Sequence, residues 1–410
     1  MSFSWKATTI ALLLALGVHI WNDFAPWDAY FPSSTIKNDV EQHFSETYYQ
    51  ARAQFRKRAF AAHAEVYAVP LEHLSALDLT IDVAIIPGSN EKAILHISGT
   101  HGVEGFAGSG IQCGMLEILA NQSATLSTDS PTLIFVHALN PYGMAMLRRF
   151  NEHNVDLNRN FLKPEDFEKR RGMDPNAFGY ADLDEPLNPK HPTRWGAWVH
   201  THRQLVQVAW TKGLTYIKRA VVGGTYHFSQ GIFYGGEQLE PSGRALFQVL
   251  DEHLNMEALR VMGIIDVHTG LGPSGYDTLL LKTSKGLERA RGIFQDRQPI
   301  TSVDDEDSVT SGYDTAVGFL CSGLELHLPR SVKTVCLAQE FGTVPGFVVL
   351  RALIHENAMY HHAPTRRLPY AERLRDAFYL HTSVDWKTSV LTRGITVWQQ
   401  LYTYVDDLYY

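Results

Sequence analysis

Residues 93–119 constrain this chain more than any other stretch. Ala93-Ile94-Leu95-His96-Ile97 is a short apolar run of the kind that forms a buried strand, and Ile111 to Leu119 carries apolar residues at helical spacing. Between them lies Ser98-Gly99-Thr100-His101-Gly102-Val103-Glu104-Gly105-Phe106-Ala107-Gly108-Ser109-Gly110. A glycine-rich turn from strand to helix folds tightly and leaves room for a ligand. His101 and Glu104, three residues apart on that turn, form a mixed nitrogen and oxygen pair suited to zinc. Two ligands do not complete a site, so another part of the chain must supply a third.

Other segments repeat the pattern of an apolar run that ends in polar residues. Thr80–Ile86 reads as a strand closed by Pro87-Gly88. A strand from Thr132 to Ala138 runs into the turn Asn140-Pro141-Tyr142-Gly143, one from Val261 to Val267 ends at His268, and one from Val332 to Ala338 ends at Gln339-Glu340. Val40 to Ala62 shows Val40, Phe44, Tyr48, Ala51, Phe55 and Ala59 near a 3.6-residue period, an amphipathic helix. Helices are also expected over Trp195–Arg219, Arg244–Arg260, Gly346–His361 and most of the C-terminal part, whereas Pro164–Arg194 and the acidic Thr301–Gly312 read as loops. Strands alternating with helices predict an α/β fold, one large domain with a mixed central sheet and helices on both faces. In open α/β sheets ligands bind beyond the carboxyl ends of the strands. His101, the Asn140 turn, His268 and Glu340 all fall there.

A chain of 410 residues can bury a large core, and a net charge of -8 without a basic tail argues against nucleic-acid binding. Its three cysteines, Cys113, Cys321 and Cys336, give no disulfide framework; Cys113 and Cys336 lie in apolar segments and read as buried free thiols. With 19 histidines, a lone histidine carries little weight. At the N-terminus, Lys6 precedes an apolar run from Ala7 to Trp21, which resembles a signal peptide or signal-anchor, and Asn22–Lys37 has linker composition. The expected organisation is therefore a signal or anchor segment with linker over 1–34 and a catalytic domain over 35–410. Residues 7–21 would take the chain to the secretory pathway or hold it at a membrane; a cytoplasmic chain with a buried or frayed N-terminal helix is the alternative.

Six blocks in order carry a family resemblance. They are H-x-x-E at His101 and Glu104, NPYG at 140–143, Arg149-x-Asn151, DLNRNF at 156–161, DVH at 266–268 and QEFGT at 339–343. In these blocks the chain resembles the zinc carboxypeptidase superfamily, the group of carboxypeptidase A. It looks closest to a branch of unknown function with SGTHGVEGFAGS, HTGLGP and EFGT blocks. The resemblance implies a zinc-carboxypeptidase-like fold and a zinc-dependent amide hydrolase holding one Zn2+ per chain through His101, Glu104 and His268. It implies Glu340 as general base and then acid, and Arg149 as the group that polarises the scissile carbonyl, with Arg148 as fallback should the register differ by one. Asn158 and Arg159 would hold a substrate carboxylate, and Asp156 would orient His101.

The chemistry of these residue types agrees. Three protein ligands and one open position is the catalytic zinc pattern. A carboxylate in reach of a water can take its proton and hand it to the leaving amine. A guanidinium binds a carboxylate as a fork. Plainer readings coexist: Glu104 as a carboxylate favoured by a helix N-terminus, Arg159 as a structural ion-pair partner, His227 as a wall of the pocket. The family's substrate-binding tyrosine has one candidate, Tyr313. The stretch between Phe161 and Val261 has no counterpart in carboxypeptidase A and could cover the cleft. The substrate is accordingly a peptide C-terminus or, in the manner of the aspartoacylase-like branch, an N-acyl amino acid; a non-catalytic zinc-binding protein is the reading from another class.

Overall fold

A computed structural model describes residues 39–122, 127–194, 196–281, 284–294, 300–302 and 316–408. Eight strands form one sheet: β1 (Glu65–Pro70), β2 (Thr80–Ile86), β3 (Ser89–Ile97), β4 (Pro131–His137), β5 (Val261–Ser274), β6 (Asp277–Leu281), β7 (Ile300–Ser302) and β8 (Lys333–Gly342). Their spatial order is β1-β2-β4-β3-β5-β8-β6-β7. The central four, β4-β3-β5-β8, run parallel, while β1, β2 and β6 join by antiparallel pairing, so the sheet is mixed as expected. Every residue of β4 and the first ten residues of β5 are buried. Side chains alternate between the two faces of a strand, so burial of consecutive residues requires cover on both faces.

Helix Gly105–Gln122 directly continues the turn after β3 and packs against helices Tyr48–Ala61 and Val384–Asp406. Gly394 on the last of these lies against Ile111, and Gly263 in β5 lies against Leu401. Any Cβ at those two glycines would overlap a side chain, so the glycines set the depth at which helix Val384–Asp406 beds onto the sheet.

Several boundaries differ from expectation. Val40–Ala62 is split into a short 3-10 turn, Asp39–His43, and the helix Tyr48–Ala61, which starts where Thr47 caps the Gln50 N–H. Trp195–Arg219 is two helices, Ala197–Lys212 and Leu214–Gly223, divided at Gly213 with φ +89°. Pro164–Arg194, expected as a loop, contains helices Pro164–Arg171 and Tyr180–Leu187. Pro164 sits in the first turn, where its missing N–H costs nothing, Glu165 and Asp166 follow it, and Lys169, Arg170 and Arg171 close the last turn. The prolines and charges that suggested a loop are thus helix-terminal signals.

The cysteine reading is corrected. Cys336 on β8 is bonded to Cys321 on helix Leu320–His327, with Cα atoms 5.6 Å apart. The apolar setting of Cys336 reported burial correctly but could not report its neighbour, which arrives by the packing of that helix on β8. Cys113 is the free thiol, and burial pushes its pKa up to about 12. Among the described residues no helix is long and apolar enough to cross a membrane. The apolar run Ala7–Trp21, the whole 1–34 segment and Tyr313 lie outside the described residues.

Candidate active site

The site is built just beyond the end of β3, where β5 and β8 run on side by side. His268 and Glu340 are direct partners across β5 and β8, and Asp266 pairs with Ile97, the last residue of β3. The turn after β3 is pinned to the segment after β4. Asn140 N–H donates to Gly99 O (2.8 Å), and Gly102 N–H and Val103 N–H donate to Arg149 O (3.1 Å) and Arg148 O (2.9 Å). Gly102 packs so closely on Gly143 that an added Cβ would stand 1.9 Å from the Gly143 carbonyl carbon. Asn140 accepts from Gly143 N–H and donates to Arg149 O. The SGTHGVEG and NPYG blocks therefore form one interlocked structure that aims His101, Glu104 and Arg149 inward.

His101, Glu104 and His268 converge. His101 Nδ1 is 2.9 Å from Glu104 Oε1, His268 Nδ1 is 3.2 Å from Glu104 Oε2, and the two Nδ1 atoms are 3.1 Å apart. Ligands about 2.0 Å from a tetrahedral zinc stand ~3.3 Å from one another, so these three groups need only small adjustments to share an ion. Each far nitrogen lies against a carboxylate, and that of His101 also lies 2.9 Å from Arg149 Nη2. His101 Nε2 faces Asp156 Oδ1 at 3.0 Å and His268 Nε2 faces Asp266 Oδ2 at 2.7 Å. The two Nδ1 atoms thus face each other and the Glu104 carboxylate, and a carboxylate behind each ring suits imidazoles that present Nδ1 to a metal. The donor set fits zinc.

Charge makes the same demand. Glu104, Asp156 and Asp266 are at most 2% exposed. Arg149 bridges two of them, through Nη1 to Glu104 Oε1 at 2.7 Å and Nε to Asp156 Oδ2 at 3.1 Å. Burial opposes ionisation of Glu104, but the charges of His101 and Arg149 outweigh it and hold its carboxyl well below the usual range. Burial likewise opposes charging His268, and the carboxylates of Asp266 and Glu104 override it and raise its pKa. Glu340 is held apart from this pairing. Its Oε1 accepts the Leu271 N–H at 2.9 Å, and burial together with the charge of Glu104 lifts its pKa to about 7.

These groups open onto a cavity of about 450 Å³. His101, His268, Arg149 and Glu340 line it, as do Asn158 and Arg159. Arg159 is anchored by Nε on Val222 O (2.9 Å) and Nη1 on Asn158 O (2.9 Å), and Asn158 Oδ1 accepts the Leu320 N–H. Most of the remaining wall is apolar, with Ile217, Val221 and Val222 from helix Leu214–Gly223, Phe319, and Val349 and Leu353 from helix Gly346–His362. The segment between Phe161 and Val261 thus supplies one wall of the cavity. His227 is elsewhere, with Nε2 3.0 Å from Arg171 O. Arg148 faces away from the site, where Glu356, Asn154 and Asn357 bind its guanidinium.

Sequence reasoning missed Asp266 and Thr100 as supports. The signal was present: Asp266 and His268 are two apart on a strand and share a face. Thr100 Oγ1 in turn donates to Asp266 Oδ1 at 2.7 Å. Replacing Asp266 with Asn should lower zinc affinity by about 10- to 100-fold, the usual weight of a carboxylate behind a ligating histidine. Competition with a chromophoric chelator reads this directly; an unchanged affinity would mean that the Asp266 contact does not tune the ligand.

The family model described as "Protein of unknown function (DUF2817)" matches residues 44–393. No curated protein sequence matches the chain. Among solved structures, the chain is similar to bovine thrombin-activatable fibrinolysis inhibitor in complex with tick carboxypeptidase inhibitor, at 10% identity over 86% of this chain and 99% of that one, with a TM-score of 0.43. It is similar to carboxypeptidase A from Helicoverpa armigera at 12% identity, over 89% and 81% of the two chains, with a TM-score of 0.42. A third is murein-tripeptide amidase MpaA from Escherichia coli O157, at 17% identity over 74% and 91%, with a TM-score of 0.32.

Proposed function

For this chain, which belongs to the DUF2817 family, we propose a zinc-dependent hydrolase that cleaves an amide bond next to a free carboxylate, in the manner of a metallocarboxypeptidase. The observation that carries the reading is His101 Nδ1, His268 Nδ1 and the Glu104 carboxylate meeting 2.9–3.2 Å apart beside a cavity that His101, His268 and Glu340 line. His101, Glu104 and His268 would hold the ion, which when bound supplies an acidified water and polarises the substrate carbonyl. Asp156 and Asp266 fix both imidazoles with Nδ1 unprotonated. Glu340 takes a proton from water and later donates it to the departing amine; a carboxyl poised between its two forms suits both halves of that task. Arg149, always charged, offsets negative charge as it grows on the carbonyl oxygen. Arg159 and Asn158 receive the substrate carboxylate, and the apolar wall receives the group beside the scissile bond.

That apolar wall also favours a second substrate class for the same chemistry, an N-acyl amino acid whose acyl chain fills the space between helices Leu214–Gly223 and Gly346–His362. The Cys321–Cys336 bond favours an oxidising compartment, in line with a secreted or membrane-held protein.

The test offers the zinc-loaded protein a mixture of peptides, N-acyl amino acids and their C-terminal amides and reads products by mass spectrometry. Cleavage confined to free acids, abolished in His101→Ala together with the loss of one equivalent of zinc, is expected. Full zinc content in that variant, or no cleavage of either class by the loaded wild type, would sink the proposal.

A further inference from the structure

We infer a second divalent-metal site, remote in sequence from the first, formed by His73, Glu152 and His153. One ring nitrogen of each histidine and a carboxylate oxygen of Glu152 lie within 4.8 Å of one another. His73 Nε2 is 2.6 Å from Glu152 Oε1, and the two imidazole rings stack at 5.5 Å between centroids. The Glu152 side chain is only 8% exposed, and its other oxygen, Oε2, has no hydrogen-bond partner among the described residues. A buried carboxylate oxygen without a donor is costly unless a ligand satisfies it. The same carboxylate, with His73 and His153, supplies the donor types that a zinc-like ion takes.

The surroundings prepare one of those imidazoles. His153 Nδ1 lies 2.6 Å from Glu240 Oε2, which Asn151 Nδ2 also holds at 2.8 Å. A proton kept on Nδ1 by that buried carboxylate leaves the His153 Nε2 lone pair for a metal, the same relation that Asp156 has to His101. Half-exposed His73 and His153 leave an open side for water, so the site would take a divalent ion such as zinc from solution. Its position gives it a task. Glu152 and His153 lie on the loop between Arg149 and Asp156, and His73 lies on the Glu72–Leu77 turn, 79 residues away. An ion here would tie that turn to the loop that carries Arg149 into the active site.

Equilibrium dialysis of the full chain, without a polyhistidine tag, against a fixed free zinc concentration followed by elemental analysis tests the site. The wild type should hold two equivalents, the double variant His73→Asn/His153→Asn one, His101→Ala one, and the triple variant none. Both rings are on the surface, so the double variant should fold normally. Glu152→Gln, of equal size, gives a second route to the loss of the same equivalent. A wild type that binds a single zinc, or a double variant and Glu152→Gln that both keep two, would overturn the assignment.

Discussion

Replacing Glu340 with glutamine should leave a folded protein that keeps its zinc and loses turnover by roughly 100- to 10,000-fold, the weight of a positioned acid and base. Glu340 belongs to none of the ligand contacts. His101, Glu104 and His268 meet one another and not Glu340, whose described hydrogen bond is to the Leu271 N–H. Glutamine keeps the oxygen that accepts that bond. It also removes a charge that burial disfavours and that Glu104 repels, the two causes that lift the Glu340 pKa to about 7. Neither folding nor metal binding has a reason to suffer. What disappears is a group able to accept a proton and return it. Turnover and zinc content measured on one preparation separate the cases. Near-normal turnover would remove Glu340 from the mechanism, and loss of zinc would instead make it part of the metal site.

The second large effect concerns stability. Arg148 is fully buried. Its guanidinium binds Glu356 through Nε at 3.1 Å, and Asn154 and Asn357 through Nη2 at 2.8 and 3.0 Å, and it lies 3.4 Å from the centroid of the Tyr360 ring. Glu356 keeps a second partner, Arg367, at 2.8 Å. Arg148→Met preserves much of the volume but strands two amide oxygens and weakens the pairing of a buried carboxylate. Breaking such a network costs about 3–5 kcal/mol. The denaturant midpoint should fall accordingly, and Arg148→Lys should recover little, because one ammonium cannot reach three acceptors in a fixed plane. A midpoint within ~0.5 kcal/mol of wild type, the ordinary range for surface changes, would show that the network is not a source of stability. The contrast with Arg149 is instructive: adjacent arginines in one loop serve opposite ends of it, one the core and one the cavity.

Much of this arrangement was written in local sequence. A strand, a glycine turn and a helix follow from apolar spacing and from glycines, whose small size permits the contact between Gly102 and Gly143. His101 and Glu104 share a turn, and Asp266 and His268 share a strand face. An apolar run that gives way to polar residues is readable one strand at a time, so His268 and Glu340 were legible, although β5 and β8 run on past them to Ser274 and Gly342. β1, β6 and β7 were not; the edge strand β1 has no fully buried residue and ends at Pro70, so it lacks the unbroken apolar run of a central strand.

Only the tertiary structure decided the rest. Strand order placed β3, β5 and β8 next to one another, and so brought a turn near residue 101, a histidine at 268 and a glutamate at 340 into one centre. Which of two adjacent arginines faces it depended on how the Asn140 turn grips the loop. Cys336 was readable as lying in an apolar segment, yet its bond to Cys321 exists because a helix lies on β8. The apolar wall of the cavity comes from helices Leu214–Gly223 and Gly346–His362, more than a hundred residues apart by number, and the His73–Glu152–His153 cluster joins two loops in the same way. Sequence periodicity reports what a residue's own element does with it. It carries no record of which distant element will occupy the space opposite, because that is set by the packing of the whole core.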